Sequence, residues 1–241
     1  MDTTGYVALS RQTGLLDQLQ AVANNIANAS TVGYRREGVV FAEHVAAVNA
    51  QGGSVALTDA RGQRTDFAEA GHQLTGGTFD VALTGDGFFV VETPGGLRLT
   101  RAGAFTPDAD GMLVAPDGAP VLDIAQAPII IPDGAGPINI AQDGLMSVGG
   151  TAFAQIGVFE PAQGSALRRE GDARFEALGA VAPVETPQVA QGMLENSNVN
   201  PVHELTRLIE VQRAYEMSQG LLEREDERIR AAIRTLGEAP R

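Results

Sequence analysis

The stretch from Val202 to Leu236 constrains the fold most. Leu208, Tyr215, Leu222, Ile229 and Leu236 stand seven residues apart, with Leu205 and Ile233 at the companion spacing, which predicts one apolar seam along a helix. Gln212, Gln219 and Asp226 hold the other companion positions, so the seam is polar at regular intervals and suits no dry core. Asn200 followed by Pro201 predicts the start, an N-cap side chain and then a proline whose missing N–H costs nothing at the first helical position. His203 stands where a reciprocal capping box needs Glu or Gln. Carried to Gly237, the helix is roughly 37 residues and about 55 Å long. Helical periodicity beyond about 25 residues points to a coiled coil, a membrane span or a repeat. The charged run Glu223, Arg224, Glu225, Asp226, Glu227, Arg228 and Arg230 excludes the span.

Such a seam needs a partner, and the chain start offers one. Ala8, Leu15, Leu19, Val22, Ile26 and Ala29 follow the same three-and-four spacing, which predicts a second amphipathic helix over residues 4–30, with Gln12 as its polar interruption. Gly5 and Gly14 each lower helix propensity by about 1 kcal/mol, so this helix is weak when alone. Asn24, Asn25 and Asn28 then crowd into one and a half turns. Two readings stand: fraying toward a left-handed stop at Gly33, or buried amides that fix register across a helix interface.

Between the ends, residues 34–79 carry scattered glycines and weak periodicity, which predicts an extended connector with one or two short strands and few core contacts. From Phe79 short apolar runs alternate with Asp-Gly and Gly-Gly turns every 8–12 residues, the mark of an antiparallel barrel or sandwich. The expected fold is therefore α+β. A discontinuous, coiled-coil-like domain of N- and C-terminal α-helices (1–33 and 193–241) carries an inserted β domain (80–192) reached through the connector. The two ends can pair only if the insertion returns the chain close to its start.

Composition narrows function by exclusion. With 17 basic against 30 acidic residues the net charge is −13, and no basic face is available for nucleic acid. Fourteen acids and five bases fall within residues 80–190, a surface suited to water. No cysteine is present, which removes disulfides, thiolate catalysis and cysteine metal sites. The N-terminus lacks the basic start and apolar run of a cleavable secretory signal, and no segment reaches the ~20 apolar residues of a membrane helix. Asp108-Ala109-Asp110-Gly111 has its glycine two residues early for a calcium loop, and Ala119 stands where the closing Glu belongs. Gly85-Asp86-Gly87 lacks the later glycine of a phosphate loop. His44, His72 and His203 form no metal-binding pair. No serine lies in a nucleophile elbow, and the acids of the β region sit mostly in Asp-Gly turns. The sequence offers no active site and no cofactor. A glycan-binding or glycan-hydrolysing β domain with a helical anchor is the alternative of a different class.

Four motifs carry a resemblance. Residues 23–36 (ANNIANASTVGYRR) resemble the ANNxANxxTxGFK/R signature of bacterial flagellar rod and hook proteins. Residues 194–201 (LENSNVNP), continuing to 208–216 (LIEVQRAYE), resemble their C-terminal signature. Gly85-Asp86-Gly87-Phe88-Phe89 and Leu99-Thr100-Arg101-Ala102-Gly103-Ala104-Phe105 resemble the two internal ones. Tyr34, Leu99 and Leu208 replace the usual Phe, Tyr and Met. With one β insertion the chain is similar to both proximal-rod and distal-rod proteins, and the run Arg36-Glu37-Gly38-Val39-Val40-Phe41 is more similar to the proximal-rod than to the distal-rod branch.

The resemblance implies a structural axial subunit of the basal-body rod, without enzymatic activity. It implies export through the flagellar type III apparatus without a cleaved signal and helical assembly in the periplasm, with copies of itself and other rod proteins as partners and neither nucleic acid nor membrane insertion. Seam and motifs together predict an assembly interface. Its N-terminal part is Leu15, Leu19, Val22, Asn24, Asn25, Ile26, Asn28, Gly33 and Tyr34. Its C-terminal part is Asn198, Asn200, Pro201, Leu205, Leu208, Gln212, Tyr215, Leu222, Ile229 and Ile233.

Overall fold

The computed structural model describes residues 3–48, 53–132, 134, 136–171 and 173–237. They form two compact units, one gathering the described parts of Met1–Ala27, Glu37–Asp66 and Val199–Arg241, the other Asn28–Arg36 and Phe67–Asn198.

In the first unit, helix α1 (Thr3–Ala27) and helix α2 (Pro201–Gly237) pack on one another. The Asn200 side-chain oxygen accepts from the backbone N–H groups of Val202 and His203 at 3.1 and 3.2 Å, so the expected cap and proline start are both present. The helices run antiparallel. Asn25 meets Glu204, and seven residues earlier in α1 the Gln18 amide, turned to face the guanidinium, accepts from Arg207 Nη2 at 2.8 Å. The buried line of α2 is Glu204, Val211 and Ser218, again seven apart but one position away from the Leu205-Gln212-Gln219 row. Leu208, Tyr215 and Leu222 are half-buried beside it, while Leu205, Ile229 and Ile233 are exposed. The expected seam therefore borders the intrachain contact and does not centre it. Continuing this register places Thr3 opposite about residue 226, because both helices rise ~1.5 Å per residue. Beyond that point the side chains at 226–231 and 233–235 are all exposed.

Strands β1 (Glu37–Val48) and β2 (Gly53–Thr65) belong to the same unit and pack against α1. They pair antiparallel from Glu37 opposite Thr65 to Val48 opposite Gly53, with a register shift between Val40 and Phe41 that marks a bulge. The one or two short strands expected in an extended connector are here two paired strands of 12 and 13 residues. Continuous backbone pairing supplies the order that the alanine- and glycine-rich residues, without clean alternation, conceal.

The second unit contains, in chain order, β3 (His72–Leu74), β4 (Val81–Thr84), β5 (Phe88–Thr93), β6 (Gly96–Thr100), β7 (Thr106–Pro107), β8 (Leu113–Val114), β9 (Ile138–Ile140) and β10 (Leu145–Val148). There follow β11 (Thr151–Gln155), β12 (Val158–Pro161), β13 (Leu167–Glu170), β14 (Arg174–Ala177), β15 (Val181–Pro183), β16 (Gln188–Gln191) and β17 (Met193–Glu195). The largest sheet has the order β13-β14-β6-β5-β12-β15, and its outer strands do not pair with each other. The described strands thus form no closed barrel. Arg168, Arg169 and Glu170 on one edge and Pro183 on the other discourage further pairing. Strand β5 is buried on both faces: Phe89 and Val91 enter one apolar cluster, Phe88 and Val90 the other. Strands β16 and β17 pair antiparallel with β4 and β3, which returns the end of the insertion to its start.

Candidate functional site

All four motifs place residues in the second unit, and there they meet. Gly33 adopts φ +67°, its N–H donates to the Glu195 carbonyl at 2.8 Å, and a Cβ at this position would lie 2.3 Å from the Ala102 nitrogen. Only glycine allows that approach. The next residue, Tyr34, is buried, and its carbonyl accepts from the Asn198 N–H at 3.3 Å. Asn198 returns the contact, its side-chain oxygen accepting from the Arg36 N–H at 2.6 Å and its amide donating to the Ala68 carbonyl at 3.0 Å.

Charge closes the junction. Strand β17 presents the fully buried Glu195, whose Oε1 accepts from Arg35 Nη2 at 2.6 Å and from the Ala70 N–H at 3.1 Å. Its Oε2 faces Arg101 Nη1 at 3.5 Å. Arg101 also donates from Nη2 to the Gly85 carbonyl at 2.5 Å and lies 5.2 Å above the Phe88 ring. Burial pushes the Arg101 guanidinium below its ordinary pKa, and Glu195 opposes that shift. Desolvation offsets most of the Coulomb attraction in such a cluster, so the intact group adds modest stability, whereas loss of one member costs about 3–5 kcal/mol. One guanidinium from the N-terminal motif, one from the internal motif just past β6 and one carboxylate from the C-terminal motif therefore fasten three distant segments at one place.

The first unit holds a smaller polar contact. Buried Asn25 accepts from the Glu37 N–H and donates to the Glu37 carbonyl, both at 2.8 Å, and donates to Glu204 Oε2 at 3.2 Å. Its amide takes both backbone groups of the first residue of β1. Of the two readings of the asparagine run, the buried amide holds for Asn25. Asn24 is half-buried and accepts from Gln20 at 3.1 Å, while Asn28 accepts from the Thr31 hydroxyl at 3.1 Å after α1 has ended at Ala27.

The expected interface residues divide by exposure. Val22, Asn25, Gly33 and Tyr34 are buried within their own units, and Leu15, Leu19, Asn24, Ile26, Asn28, Asn198, Leu208, Tyr215 and Leu222 are half-buried. Asn200, Pro201, Leu205, Gln212, Ile229 and Ile233 face solvent. Sequence reasoning missed Arg35, Arg101, Glu195, Glu37 and Glu204. The signal was available, since Arg35, Arg101 and Glu195 are charged residues that each sit inside one of the quoted motifs. Asp108 behaves as a turn residue, its Oδ1 accepting from the N–H groups of Asp110 and Met112 at 2.9 and 2.8 Å. Among the described residues no cluster of His, Asp and Glu is placed to hold a metal ion, and no helix is both long and apolar enough to cross a membrane.

Comparison with known proteins follows the motifs. Residues 6–35 match the model described as flagella basal body rod protein, residues 82–148 the flagellar hook protein FlgE/F/G D1 domain, and residues 190–235 the flagellar basal body rod FlgEFG protein C-terminal. The chain is 40% identical to the flagellar basal-body rod protein FlgF of Caulobacter vibrioides, over 98% of this chain and 99% of that one. It is 36% identical to FlgF of Mesorhizobium japonicum over the same shares, and 31% identical to the flagellar basal-body rod protein FlgG of Bacillus subtilis over 92% of this chain and 94% of that one. Both ends, the β unit and the junction that joins their motifs lie within these matches, and the chain belongs to the family of flagellar basal-body rod proteins.

Proposed function

We propose that this chain is a structural axial subunit of the proximal rod of the flagellar basal body. It transmits torque through contacts with its neighbours and turns over no substrate. The carrying observation is that α2, at 37 residues, is longer than the 25-residue α1 and exposes Ile229 and Ile233 near its end. Apolar side chains at helical spacing on such an extension suit coiled-coil-like packing with terminal helices of adjacent subunits. Contacts of that kind are heterologous, and a heterologous contact that does not close builds an open helix. Partners are then copies of this chain and other rod proteins. The flagellar type III apparatus delivers the chain to the periplasm without a cleaved signal.

Replacing the cellular copy with Ile233→Asp tests the proposal. Motility is expected to fail, with the altered subunit missing from isolated basal bodies, while the purified variant melts as the parent does. Normal swimming with the variant incorporated would sink the reading.

A further inference from the structure

Beyond rod assembly, we infer that the second unit carries a binding pocket for a small carboxylate with an apolar body. A cavity of about 310 Å³ opens beside the motif junction, within the size range of ligand sites. Its walls include Arg35 and Arg101 together with Phe67, Phe88 and Leu167, and Asp86 and Glu160 stand among its lining residues. The two arginines are almost fully buried yet incompletely used. Nε and Nη1 of Arg35 and Nε of Arg101 have no hydrogen-bond partner. The single carboxylate they share is already engaged by Ala70 and lies a long 3.5 Å from Arg101 Nη1. Buried donors on charged groups are seldom left idle, and the two arginines that carry these three both line the cavity.

The chemistry of the walls selects the ligand. A planar guanidinium matches a carboxylate in geometry and charge. Phe88 and Leu167 offer apolar contact to whatever carries the carboxylate. Phe67 is 42% exposed and packs edge-on against Phe88 and Phe175, so its ring adds a held apolar face to the cavity wall. Asp86 and Glu160 are both exposed, and their charge opposes a second anionic group. A monoanion therefore fits better than a polyanion.

The experiment titrates the full chain with sodium benzoate at constant ionic strength, following heat, with benzyl alcohol and inorganic phosphate in parallel. Benzoate is expected to bind one site with Kd on the order of a millimolar, as befits a ligand of its size, and benzyl alcohol to show no saturable heat. Arg101→Gln is expected to weaken benzoate roughly tenfold. Asp86→Asn, an exposed change, is expected to tighten it about twofold to fivefold by removing a like charge. Absence of saturable benzoate binding overturns the inference, as does phosphate binding at least as tight as benzoate. If Arg101→Gln fails to fold, Asp86→Asn decides, and unchanged or weaker binding in that variant overturns the inference as well.

Discussion

Asn25 shows how one neutral amide can do what a charged side chain could not. It must donate to two oxygens, those of Glu37 and Glu204, while accepting from the Glu37 N–H, and only Asn or Gln offers both functions on a planar group. Asn25→Asp keeps the shape and replaces the donor with an oxygen facing a carbonyl and a carboxylate. A loss of about 3 kcal/mol at neutral pH is expected in denaturant unfolding followed by circular dichroism; a loss below ~1 kcal/mol would show that the amide does not organise this unit. The reading of Asn25 was open in the sequence because propensity argues against Asn in a helix, and only the location of Glu37 and Glu204 resolves it. At Asp117 the hydrogen bond from Arg174 holds the carboxyl below its usual pKa. A depressed folded-state value means that the stabilisation is complete above the unfolded value near 4 and is lost as pH falls through the folded one. Melting temperatures of the parent and Asp117→Asn should therefore differ most above about pH 5 and approach each other as pH falls through the depressed folded-state value. A constant difference across that range would remove the pair from the acid response.

At the scale of elements, the sequence made both helices and the cap of α2 legible but not the face that α2 turns inward. Any heptad pattern leaves several rows seven apart, and the eye selects the most apolar. The buried row is Glu204, Val211 and Ser218, of which one member is apolar. Its first position is buried because an amide from α1 meets it, a reason that no periodicity contains. Neighbouring rows now separate experimentally. Val211 is 5% exposed and Leu205 49%, so Val211→Asp should lower the stability of the isolated chain by about 3 kcal/mol or more. Leu205→Asp should change it by less than about 0.5 kcal/mol yet prevent incorporation into rods. Equal effects of the two on the isolated chain would place the helix contact elsewhere. The length and pairing of β1 and β2 were illegible for another reason. Their pairing is carried by backbone hydrogen bonds, which every sequence possesses, while clean alternation is lacking and a bulge shifts the register at Val40 and Phe41.

For the whole molecule the order helix, β insertion, helix was readable, and so was the requirement that the insertion return its chain. The means of return was not. It lies in β3 with β17, β4 with β16, and a glutamate whose partners come from residues 160 and 94 positions earlier. What the chain leaves unfinished is the end of α2. An exposed helix segment leans on propensity and local ion pairs, among them Arg228 with Glu225 and Arg230 with Asp226, each worth about 0.3–0.5 kcal/mol. It must therefore open more often than the segment covered by α1. Trypsin reads this directly, because every basic residue of the chain is Arg and α2 carries such sites in both regions. In the isolated chain, cleavage at Arg228, Arg230 and Arg234 should precede cleavage at Arg207 and Arg213. In assembled rods the same three sites should become resistant, since neighbouring helices then supply the missing face. Early cutting at Arg207 or Arg213 would mean that the helix pair is not the stable part, and an overrun that stays cleavable in rods would mean that no neighbour covers it.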